Sequence, residues 1–109
     1  MKSFKGPARA LSFQAVAVLH AIASGVRYGF EIIDRTGLTS GTVYTSLGRL
    51  ERDGYVRSRW EEARTAHQEK RPPRRYYAVT AEGERVLNDT LSRYRALKPV
   101  RAAAAPAHS

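Results

Sequence analysis

The sequence predicts a mainly helical α+β domain: three helices, a two-stranded antiparallel hairpin and a closing helix. Three features predict it. Apolar residues recur at helical spacing in 11–24, 40–53 and 81–98. From Tyr55 the period drops to two, with Tyr55, Arg57 and Arg59 alternating with Val56, Ser58 and Trp60, as a half-buried strand requires. Gly25, Gly37, Gly54 and Pro99 punctuate the joints.

Residues 1–9 are basic and interrupted by Gly6-Pro7, and are expected to form a flexible arm. Leu11 to Ser24 contains no breaker and is rich in Ala and Leu, which favours a helix. Ala15, Val16, Leu19, Ile22 and Ala23 share one face, and Phe13, Ala17, Val18 and Ala21 make the rest largely apolar. A helix apolar on most sides is buried on most sides. In a short chain this suggests that a second protein surface covers it. Tyr28 to Arg35 reads as a second helix, with Phe30 and Ile33 pointing inward and Ile32 beside them. Gly37-Leu38-Thr39 turns the chain into a third helix, capped by Thr39 or Ser40 and running to about Asp53. Its inward stripe is Val43, Leu47 and Leu50, an i, i+4, i+7 pattern.

The hairpin strands are expected at Tyr55–Glu61 and Arg75–Thr80. Tyr76 and Tyr77 then face opposite sides, and Trp60 covers the core. Residues 62–74 carry no hydrophobic pattern, and such a long tip is expected to be mobile. Thr80 caps a final helix over Ala81–Lys98, with Leu87, Leu91 and Tyr94 in one stripe flanked by Val86 and Leu97. The Ala-rich tail has little to bury, so 99–109 is expected to be disordered. The resulting order of helix, helix, turn, helix, strand, hairpin, strand and helix is that of a winged helix-turn-helix. Residues 10–80 would form the winged domain and 81–98 a C-terminal dimerisation helix.

Composition narrows the function. Nineteen Lys and Arg against ten Asp and Glu leave a net charge of +9 on 109 residues. Such an excess favours polyanions, nucleic acid first and anionic membrane second. Neither long helix sets a clean basic face against an apolar one, and the apolar run Leu11–Ala23 is too short to span a bilayer, so no membrane partner is expected. No cysteine is present, which removes disulfides and thiolate metal sites. His20, His67 and His108 have no metal-ligand spacing, Glu61-Glu62 is adjacent rather than convergent, and Gly25-Val26-Arg27-Tyr28-Gly29 lacks the lysine of a phosphate loop. Neither enzyme chemistry nor a cofactor is expected.

Four sequence words resemble the PadR family of bacterial transcription regulators. They are Tyr28-Gly29-Phe30-Glu31-Ile32-Ile33 at the entry to the second helix, Ser40-Gly41-Thr42-Val43-Tyr44 at the third, Leu47 through Arg49-Leu50-Glu51 to Gly54-Tyr55-Val56, and Arg74-Arg75-Tyr76-Tyr77-Ala78-Val79-Thr80-Ala81-Glu82-Gly83 leaving the wing. Each word is weak alone; four in order and at the right spacing are strong. Ser40 and Thr45 stand where the family usually or often has proline, and the single helix 81–98 makes this a short form. The resemblance implies a homodimeric regulator, a repressor before an activator, in the bacterial cytoplasm and on the nucleoid when bound to DNA. Some members bind small aromatic effectors between dimerisation helices. Here the one Trp, Trp60, lies in the wing, so an effector has no supporting pattern.

DNA recognition needs phosphate contacts for position and base-edge contacts for sequence. The third helix suits the major groove. Gly41 lets the backbone approach, and Ser40, Thr42 and Thr45 carry short hydroxyls. Arg49 lies outside the apolar stripe. Tyr44 suits both DNA contact and packing on the second helix. Arg52 suits both a phosphate and the helix dipole. In the wing, Lys70, Arg71, Arg74 and Arg75 have no acid among them and are expected on phosphates or in the minor groove. The dimer surface is expected at Leu19, Leu87, Leu91 and Tyr94. The alternative is a winged-helix module that binds RNA or protein without direct gene control.

Overall fold

The computed structural model describes residues 11–97. The expected N-terminal arm and C-terminal tail lie outside them. The elements are α1 (Phe13–Ala23), α2 (Gly29–Thr36), α3 (Ser40–Arg52), β1 (Val56–Trp60), α4 (Ala63–Gln68), β2 (Arg75–Val79) and α5 (Ala81–Ala96). All the expected elements are present, and α4 is additional.

Three helices begin with the same device. The hydroxyls of Ser12, Thr39 and Thr80 accept the backbone N–H of Ala15, Thr42 and Gly83 at 3.1, 3.2 and 3.0 Å. Each satisfies a donor that the first helical turn leaves free. Thr39 rather than Ser40 therefore caps α3. Between α2 and α3, Gly37 takes φ 74°, a left-handed conformation that disfavours a side chain.

The core consists of Val16, Val18, Leu19, Ala21, Ile22, Val26, Ile32, Val43, Leu47, Leu50, Val56, Tyr77 and Leu87. Helix α1 runs through it and is covered by α2, α3, α5 and β2. This corrects the expectation that a second protein covers α1 for all of its large apolar side chains but the first, Phe13, which is exposed. Leu19 is 0% exposed and Leu87 3%, so neither side chain offers a surface to a partner. The chain's own later elements bury them. In α2, Gly29 and Ile32 are buried and Phe30 is 77% exposed. The helix starts at Gly29, whose α-carbon lies against the Tyr44 ring. That places Gly29, Ile32 and the half-buried Ile33 inward and rotates Phe30 out.

Strands β1 and β2 pair antiparallel from Val56↔Val79 to Trp60↔Arg75, and Tyr28 adds a bridge to Tyr76. Alternation puts Val56, Ser58, Trp60, Arg75, Tyr77 and Val79 on the face toward the helices. Arg57, Arg59, Tyr76 and Ala78 lie on the other. Tyr77 is buried and Tyr76 half-buried, as alternation requires. Trp60 does not cover the core: it is 62% exposed, because its partner Arg75 is at the outer end of the ladder.

The wing tip is built rather than loose. Helix α4 buries Ala66 and ends where the N–H of Arg71 reaches Ala66 O at 3.1 Å and that of Lys70 reaches His67 O at 3.0 Å. Lys70 takes φ 59° there, completing a Schellman turn at a site where glycine is usual. At the other side of the molecule, α5 starts flush on β1's approach. A Cβ on Gly83 would overlap the Tyr55 carbonyl oxygen. Leu87 and Thr90 continue the buried side, Leu91 is half-buried, and Tyr94 and Leu97 are exposed. Among the described residues no helix is long and apolar enough to cross a membrane.

Candidate nucleic-acid interface

Of the residues expected on α3 to meet DNA, Ser40, Gly41, Tyr44, Thr45 and Arg49 are all exposed, while Thr42 is half-buried. The Thr42 hydroxyl accepts from that of Thr39 at 3.0 Å, so capping already occupies part of its capacity. A Cβ built on Gly41 or Gly48 meets nothing within 4 Å. Nothing in the packing of the described residues requires either glycine, although each weakens a helix by about 1 kcal/mol relative to alanine. The face from Ser40 to Arg49 is thus thin, polar and open. Tyr44 combines the two roles expected of it: its ring packs on Gly29, and the residue is still 50% exposed.

The four wing cations divide. Arg71 forks onto Glu61, with Nη1 to Oε1 at 2.6 Å and Nη2 to Oε2 at 2.9 Å. Glu61 also accepts the backbone N–H of Arg74 at 3.1 Å and the Tyr76 hydroxyl at 3.3 Å. The Arg71 fork is the main cause holding the Glu61 carboxyl down to about 2, against a partial opposing effect of burial. The same pair raises Arg71 further above its ordinary value. Arg71 is therefore paired within the chain, whereas its sequence neighbourhood shows no acid among the wing cations. Sequence reasoning misses the acid because it lies ten residues upstream of its partner.

Arg75 reaches back to α3. Its Nε donates to Ser58 Oγ at 3.0 Å, and its Nη2 lies 3.4 Å from Glu51 Oε1. The Ser58 hydroxyl donates to Glu51 Oε2 at 2.7 Å. Both strands of the wing are thereby tied to α3. The Arg74 guanidinium sits 4.0 Å from the Tyr28 ring centroid, a cation–π contact. Lys70 is exposed at the α4 turn. Burial pushes the Tyr77 phenol above its usual value.

Between α3 and the inner face of the wing lies a cleft of about 480 Å³, lined in part by Tyr28, Phe30, Tyr44, Trp60, Pro72 and Arg74. Its aromatic floor is not legible in the sequence. Trp60 and Phe30 read as core by periodicity, and only their position at the ends of elements puts them here. Among the described residues no cluster of His, Asp or Glu could hold a metal ion.

A sequence model of the transcriptional regulator PadR-like family matches residues 18–89. The chain belongs to this family. The match spans α1 from Val18 through α5 to Asp89, so it includes α3 and the whole wing. Among solved structures, a PadR family transcription regulator from Clostridium difficile is similar, with a TM-score of 0.68 at 22% identity over 77% of this chain and 88% of that one. A transcriptional regulator from Clostridium thermocellum gives a TM-score of 0.62 at 24% identity over 76% of this chain and 81% of that one. A MarR family regulator from Silicibacter pomeroyi gives 0.61 at 21% identity, over 79% of this chain and 53% of that one. At these identities the likeness shows the fold, a winged helix. No curated protein matches in sequence. The PadR-like protein is a transcriptional regulator, with the DNA binding that this family membership implies.

Proposed function

We propose that this PadR-like protein is a bacterial, cytoplasmic repressor that binds a pseudo-palindromic operator as a homodimer. Helix α3 enters the major groove of each half-site, and the wing lies on phosphates or the adjacent minor groove. The observation that carries this reading is the open face of α3. Gly41 and Gly48 border free space, Ser40, Thr45 and Arg49 surround them, and none of the described elements covers them. Backbone can approach base edges there, with hydroxyls and a guanidinium in reach. Tyr44 and the Arg74–Tyr28 pair line the adjoining cleft, which suits the sugar-phosphate ridge between the two grooves. Lys70, Arg74 and Arg75 supply cations on the wing, and Arg71 serves the interface by holding the tip through Glu61. Repression, rather than activation, rests on the family resemblance.

Selection of bound duplexes from a random pool tests the reading. A recovered pseudo-palindrome supports it, and Arg49→Ala should then relax preference at one base position in each half-site, by about 1–3 kcal/mol if the contact is bidentate. Equal affinity for random duplex and structured RNA would favour a non-specific module instead. Removing the protein should raise transcription from promoters carrying the selected site, and unchanged transcription would sink the repressor assignment.

A further inference from the structure

We propose that the outer face of the wing, formed by Arg27, Arg57 and Arg59 around Tyr76, is a second phosphate-binding surface that takes the backbone of duplex DNA outside the stretch gripped by α3. The inference rests on the DNA-binding reading above and adds a contact surface to it.

Strand alternation sets the direction. Ser58 and Arg75 point toward α3 and bond to Glu51, so Arg57 and Arg59 point away from it. Arg27 joins them because Tyr28 bridges to Tyr76, and the Arg27 carbonyl accepts the Tyr77 N–H at 2.8 Å. The three side chains therefore share a face that the groove entered by α3 does not meet.

Charge and order identify the ligand. Arg27, Arg57 and Arg59 are exposed. Among the described residues none of them makes an ion pair, whereas Arg71 and Arg75 on the rest of the wing are each paired with a carboxylate. Like charges gathered on one sheet face without a counter-charge repel one another, and an arriving anion relieves that repulsion. Two of the guanidiniums are already placed. Arg27 lies 5.1 Å and Arg59 5.4 Å from the Tyr76 ring centroid. A stacked guanidinium loses less freedom when its planar fork meets an oxyanion. The three arginines rim a depression of about 300 Å³ floored by Tyr76 and Ala78. Arg57 and Arg59 stand two residues apart on an extended strand, a rise of about 6.6 Å, close to the step between successive phosphates of one nucleic-acid strand. A row of phosphates matches this repeat better than a single carboxylate does. The face also belongs to the hairpin whose inner side borders α3, so DNA that continues past the operator and bends toward the wing arrives at it.

The test compares two non-operator duplexes, one of about 20 base pairs, enough for two half-sites one helical turn apart, and one of about 40. Binding is titrated against salt for the wild-type protein and for the double variant Arg57→Ala, Arg59→Ala. On the longer duplex the variant should bind more weakly, and its log K against log salt slope should be shallower by about 1.8 for each subunit whose wing engages, and so by about 3.6 for a dimer with both wings on DNA, or about 0.9 for each phosphate that an arginine no longer neutralises. On the shorter duplex affinity and slope should be unchanged, which also shows that the variant is folded. An unchanged slope on the longer duplex overturns the proposal and leaves the face to an acidic protein partner. An equal loss on both duplexes also overturns it, because the arginines would then lie inside the α3 footprint. Wild-type protein that binds neither duplex would bring down the DNA-binding reading itself, and this inference with it.

Discussion

Two glycines show how one added methyl group can act on stability or on the interface. At Gly83 a Cβ would overlap the Tyr55 carbonyl oxygen, a backbone atom fixed between α3 and β1. Overpacking against an atom that cannot yield costs about 1–3 kcal/mol, and the better helix propensity of alanine returns no more than about 1. Gly83→Ala should therefore lower the denaturant midpoint without changing which surfaces are exposed. At Gly29 the Cβ would meet the hydroxyl end of the Tyr44 ring, and a half-exposed ring can swing away. Gly29→Ala should leave stability within about 1 kcal/mol of wild type. It should weaken DNA binding several-fold, because Tyr44 leaves the α3 face. Urea melts and DNA titrations of the two variants separate these effects. A large stability loss at Gly29 would show that Tyr44 is fixed and not adaptable.

At the scale of elements, the wing depends on one carboxylate. Glu61 bonds Arg71, Tyr76 and the Arg74 backbone, closing the two ends of the α4 segment onto each other. Its carboxyl is held at about 2, below the 4.5 of the unperturbed group. A depressed carboxylate contributes its full stabilisation above the unfolded value and loses it as pH falls toward the folded one. The wing should accordingly loosen as pH drops from about 4.5 to about 2. Trp60 adjoins Glu61 and is the only Trp, so its emission reports the change, and Glu61→Gln should loosen the wing at neutral pH and flatten the acid transition. A transition identical in the variant would assign it to other carboxylates. This element was the least legible from sequence. The caps, the α3 stripe and both strands follow from local rules, namely a hydroxyl before a helix, i, i+4, i+7 spacing, and period two. Helix α4 has six residues and buries one alanine, too little for any periodicity to register. Its anchor is a salt bridge across ten residues, which no window of sequence displays. Phe30 and Trp60 misled for a related reason: apolar character fixes neither the helix phase nor how far a strand outruns its core.

At the scale of the whole molecule, the fold shifts where a second copy can attach. The apolar helix α1 is covered by its own chain along the Val16, Leu19 and Ile22 face, and of its large apolar side chains only Phe13, at its start, is exposed, so its overall hydrophobicity is no argument for a partner. What the described residues leave uncovered on the C-terminal side is the second half of α5. There Leu91 is half-buried, and Tyr94 and Leu97 are 43% and 73% exposed. These residues continue the Leu87 stripe past the end of the core, three or four positions apart, so a helix from a second copy could lie along them. The proposed homodimer then depends on this half-helix, and the core does not. Tyr94→Glu should therefore leave the thermal melt of the monomer fold little changed while shifting sedimentation at micromolar concentration from dimer to monomer. Two linked α3 helices bind a two-site operator more tightly than one does by roughly 10²–10⁴-fold when the geometry allows both to engage. The variant should lose at least the lower end of that range on the selected pseudo-palindrome and almost nothing on an isolated half-site. If Tyr94→Glu stays dimeric and keeps full operator affinity, the second copy attaches elsewhere than α5. If it loses affinity equally on the half-site, the substitution acts on a single subunit's own contact with DNA and not on pairing.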